Sequence, residues 1–472
     1  MIVAPRELES STLVGDLRRP VRFTTAMLWI APVRVLPGLS SLAFAFAFAQ
    51  AQPQATPQPQ AQPLPQATAL PQATAQATAP ELHGRVDVVD GLRVLHTWGT
   101  PRERGFSHGV LLGNEVATLV SKEFGARFAR KAGTLAMVRS SLPRLIEYPK
   151  AVRQEIEGLY DGVLQSGADR RMPELDREFD LDDLLVANAL DVFGLMGCSG
   201  FTLYDEQVLG GGVLSARNFD WPYTGPHMID GTILLVQHYA DGGAVASVTW
   251  PGYVGVVTGI NAAGFAVFLH VGTGNITFNP EPLSSPTAIA ARAILEQCHE
   301  QDTATAYALA LSLLAETSPP AGYLTRVCLP SAPDGDVPFA VFEADSRKVL
   351  RAAVDRGCVI TNHFLGRKDG RLASKDSTDR QQSVQQGIDL CIKDGDHKVA
   401  VDEAWQLLAA VERGGKRAFG TLHSLVFRPA PWCFELRIAE HNQQGLNGAP
   451  SSSRRFVLPR ESVFPAKGPW QP

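Results

Sequence analysis

The chain has few cysteines, no block of basic residues and no long apolar run. Six Cys among 472 residues are too sparse for a small disulfide-stabilised scaffold. Neither a Cys-x-x-Cys pair nor a Cys/His cluster with zinc spacing occurs, so we expect no metal site. The net charge is −5 and Lys and Arg are dispersed, which argues against a nucleic-acid partner or an anionic membrane surface.

Nucleotide-binding loops are missing as well, although the chain contains 42 Gly. No Gly-x-Gly-x-x-Gly follows a strand pattern, and no Walker-type loop is present. We therefore expect no cofactor. The chain is long enough for a large buried core, and this composition favours a globular enzyme.

The first 80 residues differ in composition from the rest. Leu36 to Ala49 is mostly apolar but spans only 14 residues, too few to cross a bilayer. It suits a secretory signal peptide with Ala47-Phe48-Ala49 as cleavage site, although an apolar tail without a targeting role is the alternative. Residues 50–80 are almost entirely Gln, Ala, Pro and Thr, which predicts a disordered linker. We predict export (periplasmic or extracellular) through residues 1–49 and no integral membrane span.

Apolar spacing divides the remaining chain into two parts. Residues 81–197 show mainly helical spacing, with a capped helix start at Thr100-Pro101-Arg102-Glu103. After Cys198, blocks of short β-rich runs alternate with blocks of helical stretches, which indicates a layered α+β fold. The predicted strands are 212–219, 231–239, 244–250, 253–260, 264–271, 322–329, 337–344, 347–354, 357–362, 421–428 and 432–439, and the predicted helices are 286–299, 302–315, 377–391 and 400–412.

Four short segments contain the residues best suited to chemistry. In chain order they are Gly197-Cys198-Ser199-Gly200-Phe201, Arg217-Asn218-Phe219-Asp220-Trp221, Thr361-Asn362-His363-Phe364 and Asp376-Ser377-Thr378-Asp379-Arg380. Together they supply a thiol nucleophile, charges and an amide donor. Taken singly, Cys198 would be a buried small hydrophobe, Arg217 and Asp220 an ion pair, and Asn362 a turn cap.

The ordered set resembles the acyl-CoA:6-aminopenicillanic acid acyltransferase family of N-terminal-nucleophile hydrolases, relatives of the choloylglycine hydrolases. The resemblance covers about residues 92 to 440 and includes the helix start Gly99-x-Pro101-x-Glu103-x-Gly105-x-x-His108-Gly109. It implies a four-layer αββα fold made as a zymogen that cleaves itself by autoproteolysis. Residues 81–197 would form a helical α-subunit and residues 198–472 the catalytic β-subunit, giving an α/β heterodimer, with higher oligomers left open.

The resemblance implies cleavage between Gly197 and Cys198, which leaves Cys198 as an N-terminal nucleophile. Gly197 lacks a Cβ and would accept the strained backbone that attack on its carbonyl needs. The freed α-amine would serve as general base to its own thiol, because its reference pKa is about 7.7–8.0.

Four more residues take roles from the resemblance. Arg217 would stabilise the thiolate by its charge. Asp220 would orient the α-amine, which needs a bend at Phe219 because alternate strand residues face opposite sides. Asn362 would donate to the oxyanion, and Arg380 would support the site.

One position departs from the family pattern. His270 stands where related enzymes often have an Asn, so its ring N–H would replace an amide donor at the oxyanion or in the pocket. A papain-like Cys–His–Asn site using His363 is disfavoured, because it and Asn362 would point to opposite faces of a strand. The remaining cysteines are interpreted as buried thiols or disulfides.

The sequence therefore predicts a cysteine amidase, a hydrolase that cleaves a linear small-molecule N-acyl amide through an acyl-enzyme on Cys198. The first alternative is an acyltransferase with an amine acceptor, which is disfavoured because no basic cluster for a CoA phosphate is evident. A second is an unprocessed ligand-binding relative, and a third is a cell-envelope structural protein. Neither the acyl chain nor the amine of the substrate follows from the sequence.

Overall fold

A computed structural model describes residues 81–128, 132–222, 225–274, 276–277, 283–299, 302–331, 336–354, 357–393, 397–414, 419–441 and 447–470. The predicted export signal at 1–49 and linker at 50–80 lie outside the described residues. In the part of the chain that is described, no helix combines the length and apolarity needed to cross a membrane.

Two large sheets contain most of the strands. The strands are β1 (Gly84–Val89), β2 (Leu92–Thr97), β3 (Arg171–Met172), β4 (Arg177–Glu178), β5 (Gly197–Tyr204), β6 (Val213–Pro222), β7 (Ile233–His238), β8 (Ala244–Thr249), β9 (Thr258–Asn261), β10 (Ala266–Val271), β11 (Tyr323–Cys328), β12 (Phe339–Asp345), β13 (Lys348–Arg351), β14 (Cys358–Ile360), β15 (Phe419–Arg428), β16 (Cys433–Ile438), β17 (Glu440–His441), β18 (Asn447–Gly448) and β19 (Arg455–Val457).

The α-helices occur in groups between the strand blocks. They are α1 (Pro101–Leu119), α2 (Ala126–Phe128), α3 (Ala132–Ser141), α4 (Lys150–Ser166), α5 (Leu181–Asn188), α6 (His227–Asp230), α7 (Thr287–Gln297), α8 (Thr303–Thr317), α9 (Lys375–Lys393), α10 (Val401–Ala409) and α11 (Arg460–Val463). A π-helical turn, Val120–Gly125, extends α1. The predicted helix start is confirmed, because Thr100 and Glu103 form a reciprocal capping box.

The sheets have different strand orders. Sheet 1 has nine strands in the order β1-β2-β7-β8-β9-β10-β11-β12-β13, and sheet 2 has six in the order β14-β5-β6-β15-β16-β19. Neighbouring strands are antiparallel except β2 and β7, which are parallel. The mainly antiparallel pairing of strands in blocks agrees with the layered α+β fold predicted from the β-rich runs.

The sheets pack face to face and each carries helices on its outer side. Phe268 of sheet 1 and Phe427 of sheet 2 belong to one buried apolar cluster between the sheets. Helices α7 and α8 pack against sheet 1, while α9 and α10 pack against sheet 2. The predicted four-layer αββα fold is confirmed.

The N-terminal segment is less purely helical than predicted. Residues 84–97 form the β1–β2 hairpin at the edge of sheet 1, so residues upstream of Cys198 supply two strands to this sheet. The turn is Asp90-Gly91, and both residues have positive φ. An Asp-Gly pair between alternating apolar residues is a hairpin signal, which the helical spacing of the following residues obscured.

Candidate active site

Strand pairing brings Cys198 and Arg217 together between the sheets. Cys198 pairs with Phe219 and Gly200 pairs with Arg217 in the β5–β6 register. Paired residues share a face of the sheet, so the side chains of Cys198, Phe219 and Arg217 all point toward sheet 1. Arg217 and Cys198 are both fully buried there.

The Arg217 guanidinium links the thiol to sheet 1. Its Nη2 donates to Cys198 Sγ at 2.9 Å and to the Leu269 carbonyl at 2.6 Å. Its Nη1 donates to Thr258 Oγ1 at 2.6 Å and to the Val257 carbonyl. Because four acceptors hold the planar group, its position relative to the sulfur is fixed.

The thiol of Cys198 is neutral in the uncut chain. Burial raises its pKa, and this outweighs the lowering by the Arg217 charge, while the Asp220 charge raises the pKa further. The role of Arg217 in stabilising a thiolate stays a prediction, because its charge lowers the pKa of Cys198 but desolvation of the sulfur is the larger effect in the uncut chain.

Asn362 and Arg380 bind the backbone of Cys198 rather than its sulfur. Asn362 Oδ1 accepts from the Cys198 amide nitrogen at 2.9 Å. Arg380 donates to the Cys198 carbonyl at 2.7 Å and to Asn362 Oδ1 at 2.8 Å. The Asn362 Nδ2 group donates to Val271 O at 3.0 Å, so the oxyanion role expected from sequence does not fit the uncut geometry. The amide instead holds the nitrogen that cleavage would free.

The start of α9 positions Asn362. Ser377 Oγ accepts from the Asn362 backbone nitrogen at 2.8 Å, and it also lies 2.8 Å from His363 Nδ1. The His363 ring is thus engaged with Ser377 and Thr361, and no described contact joins it to Cys198. The geometry agrees with the sequence argument against a papain-like site.

Asp220 approaches Cys198 from the opposite face of sheet 2. It pairs with Gly197, its Oδ1 accepts from Thr421 Oγ1 at 2.7 Å, and Arg413 Nε lies 3.3 Å from its Oδ2. Burial raises the pKa of this carboxyl, while Arg380, Thr421 and Arg413 lower it.

The predicted bend at Phe219 is absent. Strand β6 continues to Pro222, and the register shift lies in the partner strand β15, between Thr421 and His423. No bend is needed, because the Cys198 nitrogen is a backbone group that can be reached from either face of the sheet. Arg217 therefore faces the sulfur while Asp220 faces the side on which Gly197 lies.

Gly197 is required for space rather than for an unusual backbone conformation. Its φ lies outside the left-handed region, so the strained conformation expected from sequence is not observed. A Cβ at this position would lie 2.7 Å from the Phe419 ring and 3.2 Å from Asp220 Cβ. A side chain here would displace Asp220 or the aromatic ring.

His270 lies in β10 on the face that looks toward sheet 2. It is fully buried, and neither ring nitrogen has a hydrogen-bond partner among the described residues. Burial lowers its pKa well below the usual range, with further lowering by Arg217, Arg326 and Arg380. The ring is neutral, and a role at the oxyanion stays a prediction.

An apolar cavity of about 90 Å³ lies beside residues that neighbour Cys198. Its walls include Met196, two residues before Cys198, and Phe219, its partner in the register. The cavity continues to Phe124, Trp221, Trp250 and Tyr253, with Glu123, Arg127 and Asp191 as its charged members. A mostly apolar cavity with few polar groups is typical of a small-molecule site.

Several site residues were missed by sequence reasoning. Thr258 and Thr421 hold Arg217 and Asp220, Arg413 lies beside Asp220, and Asp191 lines the cavity. Their positions depend on pairing between distant strands, for which spacing along the chain gives no signal. Among the described residues, no group of three or more His, Cys, Asp or Glu side chains could hold a metal ion.

Relatives among curated proteins cover part of the chain. An uncharacterized protein of Archaeoglobus fulgidus is 29% identical over 212 residues, which are 38% of this chain and 33% of that protein. Protein dcd1B of Dictyostelium discoideum is 27% identical over 192 residues, 38% of each chain. The chain thus matches only about a third of the length of each relative.

Three solved enzyme structures align with about half of the chain. An ortholog of N-acylethanolamine-hydrolyzing acid amidase from Caenorhabditis elegans has 16% identity and a TM-score of 0.35, covering 56% of this chain and 100% of that one. Variant conjugated bile acid hydrolase from Clostridium perfringens has 12% identity and a TM-score of 0.36, covering 56% and 96%. Penicillin V acylase from Agrobacterium tumefaciens has 17% identity and a TM-score of 0.35, covering 51% and 83%.

The family assignment rests on a family model, because each TM-score is below 0.5. The model of Acyl-coenzyme A:6-aminopenicillanic acid acyl-transferase matches residues 208–443, which is half of the chain. This range includes Arg217, Asp220, Asn362 and Arg380 and begins ten residues after Cys198. The chain therefore belongs to the acyl-coenzyme A:6-aminopenicillanic acid acyl-transferase family.

Proposed function

We propose that this protein is a self-processing cysteine N-terminal-nucleophile amidase that hydrolyses a linear N-acyl amide through an acyl-enzyme on Cys198. One observation carries the proposal: three atoms of Cys198 each have a dedicated partner. The sulfur faces Arg217 at 2.9 Å, the nitrogen faces Asn362 at 2.9 Å and the carbonyl faces Arg380 at 2.7 Å. Any buried backbone N–H and C=O needs a partner, but a cysteine serving only as core packing does not need a guanidinium at its sulfur.

The proposed self-cleavage uses the thiol of Cys198 on the carbonyl of Gly197. The S–C bond forms, the Gly197–Cys198 C–N bond breaks, and the thiol proton passes to the departing nitrogen. Water then hydrolyses the thioester, leaving a carboxylate on Gly197 and a free thiol on Cys198. Asn362 already accepts from the departing nitrogen, which supports its role in holding the new amine.

In turnover, the new α-amine of Cys198 would take the thiol proton as the sulfur attacks the substrate carbonyl. The amine returns that proton to the leaving amine, and an acyl-enzyme forms. Water activated by the same amine then releases the acid. Asp220 and Asn362 would orient the amine, while Arg217 stabilises the sulfur when it carries negative charge.

The apolar lining of the cavity favours an apolar acyl group as the part of the substrate that binds next to the sulfur. Phe219, Trp221 and Trp250 offer aromatic walls, and Arg127 is the basic residue among its lining groups. Arg127 donates to the Pro222 carbonyl at 2.7 Å. One engaged arginine is a poor site for the several phosphates of a CoA thioester, which favours hydrolysis over acyl transfer from CoA.

The experiment compares Cys198→Ala with Cys391→Ala, a matched change at a half-buried cysteine outside the site. Each protein is incubated with long-chain N-acyl p-nitroanilides and with a thiol-reactive acyl probe. Loss of hydrolysis and labelling in Cys198→Ala alone is expected. Equal hydrolysis by both variants contradicts the proposal, and absence of labelling in the wild type favours a ligand-binding relative.

Acyl transfer is the second candidate function, because the family model that matches the chain is named for it. Wild-type protein with an N-acyl amide and an excess of acceptor amine partitions the acyl-enzyme between water and amine. We expect mainly free acid. Mainly new amide would assign transferase activity to the same site.

Export also stays a proposal. The apolar segment ending at Ala47-Phe48-Ala49 supports it, because its length and cleavage pattern suit a secretory signal. Fractionation of an expressing cell should place the protein outside the cytoplasm with an N-terminus near residue 50, and retention in the cytoplasm would contradict it.

A further inference from the structure

Asp191 is a buried carboxyl in the wall of the apolar cavity. It lies in the 3-10 turn Leu190–Phe193, shortly before the proposed cleavage point. Its exposure is 2%, and it shares the wall with Leu190, Trp250 and Tyr253. The mechanism proposed above makes no use of this group.

Only one of the two carboxyl oxygens of Asp191 is engaged. Oδ2 accepts from the Ala288 nitrogen at 3.1 Å, at the start of α7. Pro286 at the N-cap of α7 provides no side-chain acceptor, so Asp191 substitutes for the missing cap. Oδ1 is buried and has no hydrogen-bond partner among the described residues, and the capping role does not account for it.

The surroundings of Asp191 contain no cation paired with it in the described residues. Besides burial, its negative charge raises the pKa values of three buried tyrosines, Tyr148, Tyr253 and Tyr323. Burial raises the pKa of Asp191 to about 7, although backbone N–H groups of Thr287 and Ala288 lower it. Near neutral pH the carboxyl therefore exists in both forms, one able to donate and accept and the other able only to accept.

Asp191 should remain in place after cleavage before Cys198. Tyr323 Oη donates to the Asp191 carbonyl, and α7 holds the side chain. Tyr323 also belongs to the buried apolar cluster that contains Cys198, so Asp191 and Cys198 are both near this tyrosine. A substrate acylating Cys198 can therefore extend along the cavity toward Asp191.

We propose that Asp191 Oδ1 is a specificity subsite that binds a hydrogen-bond donor, a hydroxyl or an ammonium group, on the acyl portion of the substrate. The inference rests on the proposed function and narrows its substrate class from plain alkyl amides to amides whose acyl chain carries such a donor. A donor placed against the apolar wall of this cavity would lose its hydration without a partner. The subsite therefore selects for the position of the donor along the chain as well as for its presence.

The test measures binding, so that it does not depend on catalysis. Uncut Cys198→Ala protein is titrated calorimetrically with straight-chain primary amides of increasing length, ending in a methyl, a hydroxyl or an ammonium group. At one chain length the hydroxyl or ammonium member should bind about three- to tenfold more tightly than expected from its methyl analogue. The same series is then titrated against Cys198→Ala/Asp191→Asn, in which the amide oxygen still caps α7 and an NH₂ group replaces Oδ1.

Asp191→Asn should remove the preference for the donor while leaving affinity for the methyl series within about twofold. A control, Cys198→Ala/Met228→Leu, changes an apolar wall residue and should shift all three series together. The proposal is overturned if the methyl series binds best at every length, if the donor preference survives in Asp191→Asn, or if no amide binds.

Hydrolysis by the wild-type protein distinguishes failure of the subsite proposal from failure of the proposed amidase function. Hydrolysis of methyl-terminated amides by wild-type protein, with no donor preference in binding, would keep the amidase and reject the subsite. Donor-selective binding without hydrolysis by wild-type protein would keep the subsite and reject the amidase.

Discussion

At the scale of the residue, burial and the charge of Arg217 act together on the pKa of the Cys198 thiol. The sulfur is fully buried beside one guanidinium, and burial dominates its pKa. A neutral thiol in the uncut chain needs a base to become reactive, which the α-amine of a cleaved chain would supply. Cleavage and activity should therefore depend on the same neighbours.

Arg217→Lys tests the neighbour that contacts the sulfur. A lysine ammonium cannot span the sulfur, Leu269 O and Thr258 Oγ1 at once, so we expect kcat/KM to fall by about 10²-fold. Steady-state hydrolysis of an N-acyl p-nitroanilide measures it. Arg326→Lys is the control for loss of stability, because Arg326 is equally buried but donates to Ala216 O. An Arg217→Lys enzyme as active as wild type would contradict the role.

Because the pKa of Asp191 is raised, we expect the stability of the folded protein to depend on pH. The pKa of this group is raised from 3.8 to about 7 in the folded protein. Between these two pH values the carboxyl is ionised in the unfolded chain but still protonated in the folded protein. As the pH rises from about 4 to about 7, the free energy of unfolding of the wild type should therefore fall relative to that of Asp191→Asn, by at most about 4 kcal/mol. The difference should level off above the folded pKa.

Thermal unfolding of the two proteins across that pH range measures the difference. Other titrating groups are common to both and cancel. A difference in unfolding midpoint that does not change with pH would show that Asp191 is ionised or solvated in the folded state, against its burial.

At the scale of the element, α1 and α4 pack more closely than side chains allow. A Cβ on Gly105 would lie 1.9 Å from the Glu155 carbonyl, and one on Gly158 would lie 2.2 Å from the Arg102 carbonyl. The glycines in the helix start that resembles the family, Gly105 and Gly109, are therefore needed for packing, because they permit backbone contact with α4. His108 likewise serves structure, because its Nε2 accepts from the Gly252 nitrogen at 3.0 Å.

Gly105→Ala should destabilise the protein by about 2–4 kcal/mol, because the added methyl group meets backbone that cannot move aside. Gly133→Ala is the matched control, since its Cβ has nothing within 4 Å. That exposed helical position should gain up to about 1 kcal/mol from the alanine. Denaturant unfolding compares the two, and equal effects at both positions would contradict the packing argument.

Most helices and strands could be predicted from the spacing of apolar residues, whereas the contacts between distant helices and strands could not. The strands from β6 to β16 lie close to the predicted runs because apolar residues and turn signals mark them. Strand β5 contains Cys198 and lacks a clear alternation, and the β1–β2 hairpin precedes a strongly helical segment. The sequence order identified Asn362 and Arg380, but only the fold shows that both bind the Cys198 backbone.

At the scale of the whole molecule, the residues before and after Cys198 form one body. Strand β2 pairs with β7, and Val254 and Ile289 pack into the apolar cluster made mainly by residues upstream of Cys198. The two parts share sheet 1 as well as this cluster. A cut before Cys198 removes one covalent bond and leaves these contacts in place.

The two fragments should therefore remain associated as an α/β heterodimer after cleavage. Size-exclusion chromatography without denaturant should give one peak that contains both fragments, which separate only in denaturant. Separate elution of the fragments in native buffer would contradict the shared core.

The central claim is tested most directly by the intact mass of the purified protein under denaturing conditions, with N-terminal sequencing of every fragment. We expect two fragments, with the larger beginning Cys198-Ser199-Gly200, and a single uncut chain for Cys198→Ala. A wild-type protein that hydrolyses amides while remaining uncut, or that is cut elsewhere, would contradict Cys198 as an N-terminal nucleophile.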